Sequence, residues 1–143
     1  MTVRPRQLRA VIAARGRLRD LAGAVHAQAA AAEQRAAAVA CTAAAELDHA
    51  MSTACDRMAT SGGVADLMRI ADELAGDRAE AAVAEQQRAA AGARAQESAA
   101  KLRQCERELR TVERVFDDAR ARVELAVERG EQRASDDRRR RDT

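Results

Sequence analysis

The sequence is nearly empty of aromatic residues, since Phe116 is the only ring among 143 residues and there is no tryptophan or tyrosine. Most of its apolar residues are alanine, while 34% of all residues are charged. Large apolar side chains supply most of the area that a globular core buries, so a core of ordinary thickness is excluded. The same lack removes the platforms on which single-stranded nucleic acids stack.

Residues that carry chemistry are also scarce. The three cysteines, Cys41, Cys55 and Cys105, are an odd number without a C-x-x-C motif, so neither a disulfide framework nor a metal site is indicated. His26 and His49 lie more than twenty residues apart, without a carboxylate at ligand spacing. No glycine-rich phosphate loop or nucleophile elbow occurs. We therefore predict no catalytic residue, metal, cofactor or small-molecule substrate.

Long apolar runs are missing as well. The N-terminal apolar stretch that begins at Ala10 stops at Arg15, which is too short for a signal peptide, and no stretch approaches the length of a membrane span. A location in the reducing cytoplasm is expected.

The second half of the sequence does contain a heptad repeat. Apolar residues recur every seven positions in two rows offset by three, with one polar interruption, Arg88, in the first row and two, Asp77 and Ser98, in the second. The first row is Leu67, Leu74, Ala81, Ala95, Leu102, Leu109, Phe116 and Val123. The second row is Ile70, Ala84, Ala91, Cys105, Val112, Ala119 and Ala126. Such rows form a seam that is buried against a partner helix, so one coiled-coil helix is predicted.

The first half has two rows of the same kind. One row is Leu8, Ala22, Ala29, Ala36 and Ala43; the other begins three residues later and is Val11, Leu18, Val25, Ala32 and Val39. After Val39 the spacing changes to Ala43, Leu47 and Met51, which predicts a local stutter in the supercoil.

Ser61-Gly62-Gly63 separates the two halves and predicts a turn. Gly62 can close the first helix in the left-handed conformation, and Asp66 then lies in the first turn of the second helix, where the helix dipole favours a negative charge. Folding there brings residue i close to residue 125 minus i, so that alanine stretches meet alanine stretches. We predict an all-α fold, a long antiparallel two-helix coiled-coil hairpin over residues 1–137, with helices at about 5–60 and 64–137. A disordered basic tail is expected over residues 138–143.

Two clusters are candidate contact surfaces. Only Lys101 among the 25 basic residues is a lysine, and arginines concentrate near both termini, at Arg4, Arg6 and Arg9 and over residues 138–141. This basic end suits an acidic protein surface, nucleic acid or anionic lipid. Met51, Met58 and Met68 lie near the turn, where flexible thioethers either adapt to a partner or fill the last layers of the coiled coil.

Over most of its length the chain resembles the FliJ, YscO and SctO family, the central stalk of type III secretion and flagellar export ATPases. The resemblance rests on the hairpin length, the central turn and the segment Leu109-Arg-Thr-Val-Glu-Arg-Val-Phe116, followed by Arg122, Glu128-Arg-Gly-Glu-Gln-Arg133 and Asp136-Asp137. An alanine- and arginine-rich member would fit the Hrp-type systems of plant-associated bacteria.

This resemblance implies a function in protein export and virulence. The end with the termini would enter the secretion ATPase hexamer, and the turn would contact the cytoplasmic ring of the export gate at the inner membrane, with secretion chaperones as further partners. The implied ATPase-binding residues are Arg4, Arg6, Arg9, Phe116, Arg122, Arg129 and Arg133. The implied gate-binding residues are Met58, Leu67, Met68 and Ile70.

Two other interpretations stay open. The chain is alternatively a self-associating coiled-coil scaffold or escort protein, because seam patterns do not separate pairing within one chain from pairing between chains. An arginine-rich nucleic-acid-binding protein is the other alternative, although no nucleic-acid partner is expected without aromatic residues to stack on bases.

Overall fold

A computed structural model describes residues 5–141, and side chains from Gln7 to Arg140. The described residues form two α-helices and no strand: α1, Pro5–Thr60, and α2, Val64–Arg141. The helices pack together as a helical hairpin connected by residues 61–63, which confirms the predicted all-α fold and the position of its turn. Pro5 occupies the first turn of α1, where its missing N–H breaks no helical hydrogen bond.

The C-terminal end of α2 differs from the prediction. The helix continues to Arg141, so residues 138–141 belong to it rather than to a disordered tail, while residues 142 and 143 lie outside the described part. Arginine is a strong helix former, and Asp136 and Asp137 precede Arg140 and Arg141 by four residues, a spacing that stabilises a helix.

The turn closes by a different route from the predicted one. Neither Gly62 nor Gly63 has a positive φ, so the expected left-handed cap at Gly62 is wrong. The Thr60 hydroxyl instead donates to the carbonyl oxygens of Asp56 and Arg57 at 3.3 and 3.2 Å. The amide of Leu67 donates to the Gly63 carbonyl at 3.3 Å and so begins α2. The Thr60 hydroxyl therefore hydrogen-bonds to backbone carbonyl groups at the end of α1, where a left-handed glycine was expected to close the helix.

Contacts divide the chain into two units, each of which contains part of both helices. The turn unit comprises residues 24–100. Its buried side chains are Ala40, Ala54, Ile70, Ala84, Ala95 and Ser98. His26 Nδ1 lies 3.1 Å from Ser98 Oγ, and a Cβ atom on Gly92 would lie 3.4 Å from Glu33 Oε1. The predicted register pairs residue i with residue 125 minus i. His26 with Ser98 and Glu33 with Gly92 agree with it to within one residue.

The terminal unit comprises residues 5–23 and 101–141 of the described chain. Leu8 and Leu109 are buried, and half-buried side chains extend this seam along α2 as far as Phe116 and Ala119. Arg15 of α1 donates a hydrogen bond to Glu108 of α2 and forms an ion pair with it. From Arg120 to Arg140 every residue is exposed.

From Ile70 to Ala119 the seam of α2 agrees with the prediction, but the predicted end members Leu67, Val123 and Ala126 are exposed. The second row of α1 was predicted one residue too early. Its valines and Leu18 are exposed, and the row that packs against α2 lies four residues after the first row. The packed row is Ile12, His26, Glu33, Ala40, Leu47 and Ala54, with the exposed Arg19 as its one interruption. It continues in heptads past Leu47, with Ala50 and Ala54 covered and Met51 exposed, so no stutter occurs. Small residues such as Ala40 and Ala54 let the helices approach closely, and the valines and Leu18 of the predicted row are left outside.

Candidate interaction surfaces

The first candidate surface is the uncovered segment, defined as residues 120–140 of α2. All of its residues are exposed, although they remain helical. Val123, Leu125 and Val127 are each about half accessible to solvent. Val123 and Ala126 were predicted to continue the seam, but no described part of α1 packs on them. The uncovered segment therefore presents apolar and charged side chains on every side.

From Arg122 to Arg133 the arginines and glutamates of the uncovered segment lie on opposite faces of the helix, whereas further along Asp136 and Asp137 flank the arginine face and Arg138 lies on the glutamate face. Arg122, Arg129 and Arg133 recur at spacings of seven and four residues and share one face. Because a helix turns about 100° per residue, Glu124 lies about 200° around the axis from Arg122. Glu128 and Glu131 follow Glu124 at spacings of four and three, so a glutamate face lies opposite the arginine face.

The glutamate face is partly engaged by a neighbouring arginine. Arg120 Nε donates to Glu124 Oε1 at 2.8 Å, and this hydrogen bond raises the pKa of Arg120. Arg122, Arg129 and Arg133 form no ion pair within the described part of the chain. Their guanidinium groups are therefore available to carboxylates of another molecule.

The structure brings together two of the other predicted ATPase-binding residues. The guanidinium carbon of Arg9 lies 5.8 Å from the centroid of the Phe116 ring, within cation–π range. Phe116 is half-buried at the end of the seam, so its ring packs between the helices and supports Arg9 on the surface. Arg4 lies outside the described residues, and the side chain of Arg6 is not described.

The second candidate surface lies beside the turn. Met58, Leu67 and Met68 are exposed, as a contact surface requires. Ile70 is only 2% exposed and belongs to the seam, so its predicted role as a gate contact conflicts with its burial. Next to this surface Arg57 donates to Glu73 at 2.6 Å, and that hydrogen bond lowers the pKa of Glu73.

His26 and Ser98 resemble a histidine–serine catalytic pair by distance, but their hydrogen bonds show a structural contact. Ser98 is 6% exposed, and its hydroxyl donates to the Ala95 carbonyl at 2.8 Å. The hydroxyl proton is thereby directed to the backbone, so Ser98 Oγ accepts a hydrogen bond from His26 Nδ1. A serine nucleophile needs the opposite arrangement, in which histidine accepts the hydroxyl proton.

A groove that the sequence did not predict lies between the helices of the turn unit. Its volume is about 670 Å³. The lining includes Val39, Thr42 and Ala43 of α1 and Val83 of α2, with Glu46 and Glu80 at the rim. Val39 is 56% exposed and Val83 is 51% exposed. Val83 falls outside both predicted rows, and Val39 had been assigned to the seam, so periodicity alone gave no sign of this groove.

Within the described residues, no group of three histidine, cysteine, aspartate or glutamate side chains is arranged to hold a metal ion. No helix in that part of the chain is long and apolar enough to span a membrane. Comparisons with protein-family models, curated proteins and solved structures found nothing that matches this chain.

Proposed function

We propose that this chain is a non-catalytic stalk of a type III secretion system, which links the hexameric export ATPase to the export gate and supports protein export. The observation that carries the proposal is the uncovered segment, which is helical, exposed on every side and, over residues 122–133, separated into an arginine face and a glutamate face. Such a segment suits binding inside a protein ring, because a ring contacts a helix from all directions at once.

The separation of charge supports a ring as partner. Six equivalent ATPase subunits around one asymmetric helix meet different faces, so some subunits contact the arginines while others contact the glutamates. Opposite charges across an interface fix orientation and accelerate association. Arg122, Arg129 and Arg133 would bind acidic groups of the ATPase, and Arg9, held over Phe116, would extend this contact at the terminal end of α1.

The surface beside the turn would bind the other partner. Met58, Leu67 and Met68 are exposed and flexible side chains, which suits a contact with the cytoplasmic ring of the gate. Under this proposal the protein acts at the cytoplasmic side of the inner-membrane secretion apparatus, where secretion chaperones are further candidate partners.

The test is a pull-down of the secretion ATPase encoded in the same genome with two charge-reversal variants of the full chain. The variant R122E/R129E/R133E reverses the arginine face of the uncovered segment. The control R78E/R94E/R103E reverses three other exposed arginines and changes the net charge equally. We expect the first variant to lose the ATPase and the control to retain it, with equal helix content by circular dichroism.

Retention of the ATPase by both variants, or its equal loss from both, would contradict the proposal. A gel-shift assay with DNA at physiological salt addresses the nucleic-acid alternative. Tight binding there that only R122E/R129E/R133E abolishes would favour the alternative over the stalk.

A further inference from the structure

The groove of the turn unit is an apolar surface that no described part of the chain covers. Val39 and Val83 stand on its two sides, and Ala43 and Ala84 lie between them. Thr42 is satisfied within α1, because its hydroxyl donates to the Ala38 carbonyl at 3.1 Å. The groove can therefore receive another helix without burying an unpaired hydroxyl group.

A stripe of α1 runs along this groove from Val39 to Glu46 and continues about two turns beyond it, to Ala32. Its members recur at spacings of three and four residues: Ala32, Arg35, Ala36, Val39, Thr42, Ala43 and Glu46. This spacing is that of a helix face that packs on another helix. Ala36 and Ala43 also belong to the seam with α2, so the stripe lies directly beside the existing interface.

The charges of the stripe are placed at its two ends. Arg35 and Glu46 are eleven residues apart, about 16 Å along the helix axis, so they cannot pair with each other within one chain. Neither forms an ion pair within the part of the chain that the structure describes. Glu80 lies at the same end of the groove as Glu46 and makes that end more acidic.

We propose that the groove is occupied by a second copy of this chain, with the two α1 helices packed antiparallel about a two-fold axis. In that arrangement Val39 of each copy meets Thr42 of the other, and Arg35 of each copy meets Glu46 of the other. Each α1 also lies against Val83 of the opposite copy. A two-fold interface repeats every contact, so one arginine and one glutamate supply two ion pairs.

The positions of the charges distinguish a second copy from an arbitrary helix. An unrelated amphipathic helix needs only an apolar face, whereas this stripe has opposite charges at equal distances from its centre and is therefore complementary to itself when reversed. This inference does not rest on the proposed stalk function, which uses residues of the terminal unit and the surface beside the turn.

The test is sedimentation equilibrium of the full chain over a concentration series, with R35E, E46R and R35E/E46R. We expect the unmodified chain to dimerise and each single variant to dimerise about tenfold or more weakly, because two attractive contacts become repulsive. The double variant restores both pairs with reversed signs and should dimerise like the unmodified chain. An equimolar mixture of R35E and E46R should form the mixed dimer.

A second pair of variants tests the apolar part of the interface. V83S should weaken dimerisation, whereas the control V64S should not, because Val64 is 74% exposed at the start of α2 and outside the groove. A monomer at all concentrations would overturn the proposal, as would a double variant no better than the single ones. Equal effects of V83S and V64S would also overturn it. ATPase binding is measured separately, so either proposal can fail alone.

Discussion

Truncation of Ile70 tests the packing of the turn unit most directly. Ile70 is 2% exposed and lies in the α2 seam, although the family resemblance had assigned it to a partner surface. Ile70→Ala removes three carbon atoms, and at about 0.8 kcal/mol per buried methylene this loses about 2.5 kcal/mol of transfer free energy. A cavity term adds to this loss, but a seam of only two helices can relax into the space. We expect the free energy of unfolding to fall by about 2 to 3 kcal/mol.

Met68→Ala is the matched control, because Met68 comes from the same predicted set but is 64% exposed. Its removal should change the free energy of unfolding by less than about 0.5 kcal/mol. The assay is urea denaturation at one fixed protein concentration. Unfolding is followed by the circular dichroism signal of the helices, because the chain has no tryptophan or tyrosine to report by fluorescence. Equal destabilisation by the two variants would refute the assignment of Ile70 to the seam and of Met68 to the surface.

Three further predictions concern the turn and the polar contacts. Gly62→Ala and Gly63→Ala should leave the free energy of unfolding unchanged or raise it by about 0.4 to 1 kcal/mol. Neither residue has a positive φ, and an added Cβ atom meets no atom within 4 Å. A lower free energy of unfolding in urea denaturation would show that the turn needs glycine. The hydrogen bond from Arg57 lowers the pKa of Glu73, so Glu73 stabilises the fold above its unfolded-state pKa and this contribution disappears as pH falls through the folded-state pKa. Glu73→Gln should therefore flatten the acid side of the profile of Tm against pH, and superimposable profiles would contradict this. A double-mutant cycle with His26→Ala and Ser98→Ala should give a coupling of about 0.5 to 1.5 kcal/mol, and a coupling of zero would exclude their hydrogen bond.

Much of the fold was predictable because its strongest signals are local. Pro5, the segment 61–63 and the start of α2 at Val64 are marked by residues whose backbone preferences suit those positions. Three of the four helix ends, at Pro5, Thr60 and Val64, agree with the prediction, and the fourth, at Arg141, does not. The α2 seam was also predictable, since its large side chains from Ile70 to Phe116 leave one face on which heptad spacing fits. The way in which the turn closes was not predictable, and the expected left-handed cap at Gly62 is wrong, because the composition of a turn does not reveal which hydrogen bonds close it.

The seam of α1 could not be placed correctly by hydrophobicity alone. Two rows flank the row that begins at Leu8, one on each side. The row that begins three residues later contains valines, and the row that begins four residues later contains His26 and Glu33. Periodicity favours the valines, but helix contact is decided jointly by both partners. Ser98 of α2 offers an acceptor to His26, and small residues at Ala40 and Ala54 allow close approach. The groove was missed for the same reason, since Val39 had been assigned to the seam, and Val83 lies outside both predicted rows of α2.

The polar residues inside the turn unit explain how an alanine-rich seam keeps one register. Shifting one helix by a heptad replaces most alanine layers with other alanine layers, so apolar burial alone distinguishes the two registers weakly. The hydrogen bond between His26 and Ser98 has no equivalent one heptad away, because residues 91 and 105 are alanine and cysteine. A shift would place Ser98 opposite Arg19 or Glu33 and would bury His26 against an apolar layer, at Ala91 or Cys105. Specific polar contacts thus oppose the shifts that uniform alanine layers permit.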